Sequence, residues 1–215
     1  MDAGYSAPLA RLQTREIAVS IRRHAGCCVW SLNSLAKGIC NMATYDANTA
    51  QCVVYSYKDG LLSKIAHDLK HRVTRFAVHI DETTRAIDAA IDAGSLRVEC
   101  VMKDGVESTE EMRADDKHKI EQQIAQEVLH ADEHPVIRFH STSVRPRPEG
   151  LEIEGMLALN AWTHQVSTLA RRVNGHYEAE LTIHQPAFGI KPFSAMMGTL
   201  KIKPDVLVRL VVPAK

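Results

Sequence analysis

Two pairs of histidines are spaced so that both imidazoles of a pair could reach one metal ion. His67 and His71 are four residues apart, and so are His130 and His134. On a helix this spacing places both rings on one face, as in the H-E-x-x-H motif of zinc proteases. In the second pair, however, the glutamate directly precedes the second histidine, and Pro135 disfavours helical geometry at that point. The zinc-protease pattern is therefore not met.

The first pair, His67 and His71, falls in a segment with the composition of a strand. Along a strand of ~3.3 Å per residue, positions four apart share a face but lie about 13 Å apart, too far to share one metal. We therefore expect the histidines of both pairs to be surface residues or hydrogen-bonded core residues. A metal-binding or hydrolytic protein that uses all four histidines, His67, His71, His130 and His134, is kept as the second functional hypothesis.

The sequence has no motif for the other common kinds of catalysis. It contains no G-x-S-x-G, no G-x-G-x-x-G and no P-loop, so serine nucleophiles and nucleotide sites have no support. Cys100 lies on the apolar face of a predicted strand, where a buried and inert thiol is expected. His67 and Asp68 are neighbours, and adjacent strand residues point to opposite faces. We therefore predict no catalytic residue and no cofactor.

The composition argues against several classes of partner. The 215 residues include 26 Lys and Arg and 26 Asp and Glu, so the formal net charge is zero. A basic surface for nucleic acid or for an anionic membrane is not indicated, and an aromatic content of 5% offers few rings for base stacking. No segment approaches the roughly 18 consecutive apolar residues of a membrane-spanning helix. We predict neither a nucleic-acid partner nor an integral membrane segment.

The five cysteines are odd in number and show no C-x-x-C spacing, which argues against a disulfide framework or a structural zinc site. We therefore expect reduced thiols and a cytoplasmic protein. A periplasmic protein is the alternative, because Arg22-Arg23 and the apolar residues after them resemble a twin-arginine leader. Asn33 and Lys37 interrupt that apolar run. Residues 1–43 are expected to form an irregular extension to a domain that covers residues 44–215.

One helix is clearly indicated, at about residues 112–131. Ile120, Ile124 and Val128 recur at every fourth position and are surrounded by charged residues. A capping box formed by Ser108 and Glu111 could start the helix, and the aspartates at 115–116 offer a later start. Pro135 limits the helix at its other end. We expect Ile124, at the middle of the apolar stripe, to be buried against a sheet.

Most of the remaining pattern consists of short strands separated by turns. Leu96, Val98 and Cys100 alternate with charged residues, as expected for a half-buried strand, and Asn174-Gly175 is a strong hairpin signal. Strands are predicted at 51–57, 62–69, 73–80, 86–91, 95–101, 136–144, 151–159, 164–173, 176–184, 199–203 and 206–212. The fold class is therefore mainly β, an antiparallel sandwich or barrel. The helix would cover part of the sheet or close the barrel.

The order of several motifs resembles the YceI-like family. The helix followed by the E-H-P-V-I-R-F strand at 133–139, the E-G-M-L-A-L strand at 154–159 and the F-G-I segment at 188–190 are similar to motifs of that family in the same order. Residues 66–76 lie where the family has its early histidine-containing strand, and residues 198–208 resemble its final strands. The resemblance extends from about residue 52 to residue 212.

This resemblance implies a fold and a function. The implied fold is a lipocalin-like antiparallel β-barrel, here with one principal helix at about 112–131. The implied function is the binding or carriage of a long apolar lipid, with polyisoprenoids or similar long-chain lipids as the ligand class. The family resemblance also implies a binding protein rather than an enzyme, and a homodimer.

The strand at 151–159 indicates where such a lipid would bind. Leu151, Ile153, Gly155, Leu157 and Leu159 share one face, and the apolar inner face of a barrel must be filled by its own side chains or covered by a lipid. Gly155 is expected to leave space at the centre of that face. Residues 186–198, interrupted by proline and glycine, are expected to line the mouth. The predicted ligand-binding residues are Phe139, Leu151, Ile153, Gly155, Leu157, Phe188, Ile190 and Met196. A barrel whose interior is filled by its own side chains is the alternative.

Overall fold

Alternating apolar and polar side chains produce antiparallel strands along most of the chain. We describe the protein from a computed structural model, in which residues 41–59, 67–195 and 200–214 are described. Within these residues, twelve strands form one large sheet and three short strands form a second. The first strand begins at Met42, two residues before the predicted domain boundary. Residues 1–40 lie outside the described part, so the irregular extension stays a prediction.

All strand pairs of both sheets are antiparallel. The strands are β1 (Met42–Asp46), β2 (Gln51–Ser56), β3 (Lys58–Asp59), β4 (Asp68–Val73), β5 (Phe76–Asp81), β6 (Ile87–Asp92), β7 (Leu96–Lys103), β8 (Val106–Ser108), β9 (Val136–Arg147), β10 (Gly150–Leu159), β11 (Trp162–Val173), β12 (His176–His184), β13 (Ser194–Ala195), β14 (Leu200–Ile202) and β15 (Asp205–Pro213). Short 3-10 helices at Ala93–Ser95 and Gln185–Phe188 connect some of them.

The predicted mainly β fold is confirmed, with local differences. The strand predicted at 73–80 is divided between β4 and β5, because Thr74 forms a corner in which its backbone N–H and its hydroxyl both donate to the Ser95 carbonyl. The strand predicted at 62–69 lies mostly outside the described residues. Asn174 and Gly175 both have positive φ, 48° and 77°, as the predicted two-residue hairpin between β11 and β12 requires.

The large sheet is curled, and its strands pair with one another in a linear order. Its strand order is β1-β5-β6-β9-β10-β11-β12-β15-β2-β4-β7-β8, so among the described residues no backbone pairing joins β1 to β8. Along β10, Ile153, Gly155, Leu157 and Leu159 are buried while the residues between them are more exposed. This confirms the prediction that alternate residues of the strand share one face. That face belongs to the apolar, concave side of the sheet.

The helix is shorter than predicted and starts elsewhere. The helix predicted at 112–131 is an α-helix, α1 (Ala114–Gln123), followed by a π-helical turn at Ile124–Val128 in which the Leu129 N–H donates to the Ile124 carbonyl. The capping box at Ser108 is wrong, because Ser108 ends β8 and the helix has no side-chain cap. Asp115 and Asp116 in the first turn stabilise it through the helix dipole instead.

Helix α1 covers an edge of the sheet with polar contacts. The side chain of Glu121 accepts a hydrogen bond of 2.9 Å from the Val98 N–H of β7. Lys117 donates through Nζ to the Glu99 carbonyl of the same strand, at 2.8 Å. A sheet edge has unpaired N–H and C=O groups. Two side chains of the helix therefore satisfy the edge of β7 where β8 no longer pairs with it.

The hydrophobic core consists of three separate clusters of buried residues rather than one. One cluster surrounds Val73, Phe76 and Val78. A second contains Leu129 and Phe188 at the end of the helical segment, and a third lies beneath α1. Among the described residues, these clusters leave a space on the concave face that their side chains do not fill.

The π-helical turn provides a test of how the helical segment is held. Ile124 was expected to be buried but is half-buried, whereas Leu129 at the end of the turn is buried. We expect Ile124→Ala to lower the free energy of unfolding by about 1–2 kcal/mol and Leu129→Ala by about 2–5 kcal/mol, the range for buried truncations. Urea denaturation measures both. Equal losses for the two variants would show that Ile124 is as tightly packed as Leu129.

Candidate functional site

The concave face of the sheet surrounds a cavity of about 930 Å³. This volume lies toward the upper end of the range for small-molecule sites, ~300–1,000 Å³. Side chains from both halves of the sheet line it, for example Val78 of β5 and Leu210 of β15, together with Ile120 and Ile124 of the helical segment. Residues from all three core clusters contribute to the wall. The cavity is therefore the space that the curled sheet encloses and the helical segment covers.

Five of the eight predicted ligand-binding residues line this cavity. They are Phe139, Leu151, Ile153, Leu157 and Ile190. All five are apolar, and they come from β9, β10 and the segment after β12. Met196 lies outside the described residues. The contact of these residues with a lipid stays a prediction.

Gly155 was predicted to leave open space at the centre of the apolar face, and this prediction is wrong. A Cβ atom at this position would lie 2.5 Å from the ring of Phe139 and 2.5 Å from the His140 carbonyl oxygen. The β9–β10 register also shifts between Glu154 and Gly155, which marks a β-bulge. The glycine is needed because the Phe139 ring packs against its backbone. The ring of Phe139, and not a gap, therefore forms the cavity wall here.

Phe188 lies behind the cavity wall rather than in it. Its side chain is buried in the cluster with Leu129 and Ile190. Its ring meets that of His164 edge to face with centroids 5.0 Å apart, and His164 Nε2 lies 2.8 Å from the Ala187 carbonyl oxygen. Phe188 thus fixes the 3-10 turn at Gln185–Phe188, from which Ile190 reaches the cavity.

Sequence reasoning missed a polar pair in the apolar wall, formed by Ser56 and His71. Both line the cavity, and Ser56 Oγ lies 2.9 Å from His71 Nε2. His71 is 3% exposed, and its Nδ1 has no hydrogen-bond partner among the described residues. Burial lowers the pKa of His71 from 6.5 to about 4, so the ring is neutral at physiological pH. His71 is thus a hydrogen-bonded core histidine, one of the two placements expected for it.

The two-residue alternation of inward-facing residues in β2 and β4 could have predicted this pair from the sequence. Cys52, Val54 and Ser56 alternate along β2 and all line the cavity. The buried residues of β4, among them Leu69 and His71, follow the same two-residue period. Reading both strands as inward-facing would have placed a serine and a histidine on adjacent strands of the same apolar face.

The four histidines of the second functional hypothesis do not form one surface. His71 is buried in the cavity wall, whereas His130 is exposed at the end of the helical segment with φ of 46°. Among the described residues, no group of three or more His, Cys, Asp or Glu side chains could hold a metal ion.

Two exposed histidine–carboxylate pairs lie elsewhere in the sheet. His140 Nδ1 is 2.7 Å from Asp88 Oδ1 and His184 Nδ1 is 2.6 Å from Asp205 Oδ1. Their side chains are more than half exposed. Each pair joins neighbouring strands in register, β6 to β9 and β12 to β15, and so contributes to cross-strand pairing.

Comparisons with known proteins agree with the fold. A family model described as "YceI-like domain" matches residues 45–214, and no curated protein matches the sequence. The crystal structure of BcnA from Burkholderia cenocepacia has a TM-score of 0.52 and 14% identity, covering 77% of this chain and 96% of that one.

Two further solved structures are more distant. A polyisoprenoid binding domain from Saccharophagus degradans has a TM-score of 0.46 and 12% identity, covering 81% of this chain and 98% of that one. A YCEI protein from Campylobacter jejuni has a TM-score of 0.42 and 10% identity, with coverages of 94% and 99%. Within the described residues, no helix has both the length and the apolar composition needed to span a membrane.

The contact between Gly155 and Phe139 gives a stability prediction. We expect Gly155→Ala to lower the free energy of unfolding by about 1–3 kcal/mol, the usual loss on overpacking. The Phe139 ring can move, but the His140 carbonyl belongs to the bulged backbone and cannot. Gly94→Ala is the control, because a Cβ there would meet its nearest atom at 3.4 Å. An unchanged stability of Gly155→Ala in chemical denaturation would contradict the packing described here.

Burial of His71 gives a pH prediction. The unfolded chain binds a proton at this residue below pH 6.5, whereas the folded protein does so only below about 4. Folding stability should therefore fall by about 3 kcal/mol as the pH decreases from 6.5 to 4, since each unit of pKa difference is ~1.4 kcal/mol.

The measurement is the free energy of unfolding against pH for the parent and for His71→Leu. The leucine variant should lose less stability on acidification, because no buried imidazole remains to be protonated on unfolding. His118→Gln, at an exposed helix position, is the matched control. On acidification it should lose as much stability as the parent does. Parallel curves for the parent and His71→Leu would contradict the prediction.

Proposed function

Because the chain belongs to the YceI-like domain family, we propose that it binds a long apolar lipid of the polyisoprenoid class in the cavity of its curled sheet. The cavity itself carries the proposal, with a volume of about 930 Å³ and a wall made mostly of aliphatic side chains. An apolar ligand in this space would remove that wall from water. Burial of apolar surface contributes ~25 cal/mol per Å² before the cost of ordering the ligand.

The lining residues are spread over much of the sheet, which supports a long, chain-like ligand. Lining residues come from nearly every strand of the large sheet and from the helical segment, including Tyr45 of β1, Val54 of β2 and Leu181 of β12. A compact ligand would contact a small part of such a wall. A flexible prenyl chain can follow it and bury apolar surface along its whole length.

Groups in the wall support binding rather than catalysis. Cys52 lines the cavity, and burial raises the pKa of its thiol to about 12. The thiol therefore stays protonated at neutral pH and is a poor nucleophile. Because His71 has a lowered pKa, it remains neutral at the pH at which a general acid would need its proton. The proposed role is accordingly carriage or sequestration of the lipid without chemical change.

The proposal includes a homodimer in the cytoplasm. The homodimer comes from the family resemblance, and the compartment from the expectation of reduced cysteines. Both Cys52 and Cys100 are buried free thiols in the structure, which is consistent with a reducing compartment. Analytical ultracentrifugation measures the oligomeric state, and fractionation of the source cells measures the compartment.

The direct test is native mass spectrometry of protein purified without detergent. We expect a bound species whose mass corresponds to a prenyl lipid, and loss of that species after extraction with organic solvent. Added polyprenyl lipid should restore it. Protein that remains ligand-free in the presence of excess prenyl lipid would overturn the proposed function.

A pair of adjacent alanines in β6 offers a matched test of the location. Ala89 faces inward between Ile87 and Ile91, which line the cavity, and Ala90 faces the other side of the sheet. We expect Ala89→Leu to weaken prenyl lipid binding about tenfold, because the added carbons occupy ligand space at a cost within the 1–3 kcal/mol of overpacking. Ala90→Leu, the same change on the outer face, should leave the affinity unchanged. Equal effects of the two substitutions would place the lipid elsewhere.

A further inference from the structure

One side of the cavity wall is closed by a helix rather than by a strand. Strand β6 pairs with β9 as far as Asp92 and Val136. Among the described residues, this pairing does not continue onto β7, which follows β6 after the 3-10 turn at Ala93–Ser95. On that edge β7 pairs with β8, and only over Val101–Lys103. The sheet therefore has a lateral gap between these two points, and α1 lies across it.

The helical segment borders the enclosed space directly. Ile120, Gln123 and Ile124 all line the cavity. No residue of α1 or of the π-helical turn is fully buried, and α1 begins without a side-chain cap. Segments with few buried apolar contacts open locally at a lower free energy than core strands do. Displacing α1 is therefore much less costly than displacing any central strand of the sheet.

Two hydrogen bonds, which we call the latch, fasten α1 to the gap edge of β7. The Glu121 carboxylate accepts from the Val98 N–H at 2.9 Å, and Lys117 Nζ donates to the Glu99 carbonyl at 2.8 Å. Each bond involves an ionised side chain, which makes it stronger than a neutral hydrogen bond. The Arg97 guanidinium is 3.7 Å from the Glu121 carboxylate and 44% exposed, so this ion pair adds little.

The C-terminal end of the helical segment is fixed in the core. Leu129, directly after the π-helical turn, is 9% exposed and packs in the cluster that contains Phe188. Its N–H donates to the Ile124 carbonyl at 2.8 Å, and the Ala131 N–H donates to the Ala125 carbonyl at the same distance. Single π-helical turns are frequent at functional sites. The segment is thus anchored at one end and held along α1 by the latch.

We propose that α1 is a lid over the lateral gap, which moves away from β7 about the Leu129 anchor when the latch breaks and lets a lipid chain pass sideways into the cavity. This inference rests on the proposed function and adds the route by which the ligand enters. The chain would pass between Ile120 of α1 and Leu96 of β7, which both line the cavity.

The latch can form again behind the bound lipid. Its four residues, Glu121, Val98, Lys117 and Glu99, do not line the cavity, so a ligand inside does not compete for their hydrogen bonds. The same bonds therefore close the gap in the ligand-free and the lipid-bound protein.

A second possible route leads through one end of the curled sheet. Arg85 in the turn after β5, Pro146 near the end of β9 and Pro213 at the end of β15 also line the cavity. Pro146 lies at the end of β9 opposite to Val136, the end that follows the helical segment. A lipid that entered beside these three residues would not require α1 to move, so the two routes predict different effects of the latch.

The first measurement is amide hydrogen exchange of the ligand-free full-length protein by NMR. The Val98 N–H reports opening of the lid, and the Leu157 N–H of β10 reports global unfolding. Lys117→Met removes the donor to Glu99 but keeps the side-chain stem. It should speed exchange of the Val98 N–H about tenfold, the effect of losing one hydrogen bond to a charged group, because the two bonds of a moving lid break together. Exchange at Leu157 should not change.

Matched variants separate the latch from general effects of charge. Lys117→Arg keeps a donor and should leave exchange at Val98 close to that of the parent. Lys119→Met is the same change as Lys117→Met at a position that is 72% exposed, where the nearest carboxylate is that of Asp116 at 3.8 Å. This variant should exchange at Val98 as the parent does.

The second measurement follows uptake and release of dansyl-labelled geranylgeraniol by stopped-flow fluorescence. Lid opening precedes passage in both directions, so Lys117→Met should raise both rates about tenfold and leave the Kd unchanged. Lys117→Arg and Lys119→Met should retain the parent's rates. A helix that is only a fixed part of the wall gives a different pattern, in which the release rate rises alone and the Kd becomes weaker.

The outcomes distinguish this inference from the proposed function. If Lys117→Met leaves exchange at Val98 unchanged, the two bonds break independently and the lid is wrong, although lipid binding stands. Faster exchange with unchanged uptake and release would place the entrance at the end near Arg85 and overturn the lid as well. A rise in the release rate alone would also overturn it. If the parent takes up no prenyl lipid, the proposed function fails and this inference fails with it.

Discussion

The structure depends on one constraint: the apolar concave face of a curled sheet must be shielded from water, although the side chains of the described residues do not fill the space it encloses. The core is divided into three clusters, and a cavity of about 930 Å³ lies among them. An empty apolar space forfeits the dispersion contacts that a filled core would make. A protein that maintains such a space gives up stability that a ligand can restore on binding. The shape of the sheet and the proposed function are therefore linked by the same energetic requirement.

Several local features shape the space and cover part of it. Glu121 and Lys117 attach α1 to the edge of β7 by polar contacts, so that the helix covers the cavity without filling it. The π-helical turn after α1 brings Ile124 into the wall in a half-buried position. At Gly155 the missing side chain lets the Phe139 ring lie against β10, which makes the wall continuous at the bulge. The π-helical turn and the β-bulge depart from regular geometry, and all of these features shape the cavity.

The Ser56–His71 pair also adds a stability cost to the cavity wall, because it is a buried polar pair among apolar side chains. A fully aliphatic wall would be simpler to stabilise, since no buried polar atom would lack a partner. The pair places one hydrogen bond in an environment of low polarity, where it is stronger than in water.

The sequence alone determined the strands, their inward and outward parity and the hairpin at Asn174-Gly175, because these follow from two-residue alternation and from local turn chemistry. It also indicated five of the cavity-lining residues. Tertiary structure alone decided the rest. The role of Gly155 depends on the Phe139 ring from the neighbouring strand, and the helix start depends on Ser108 being paired in β8. The burial of His71 depends on how far the sheet curls. Contacts between residues distant in sequence set all three. The alternation in β4 indicates which face His71 shares, but local patterns do not show which residues of other strands cover that face.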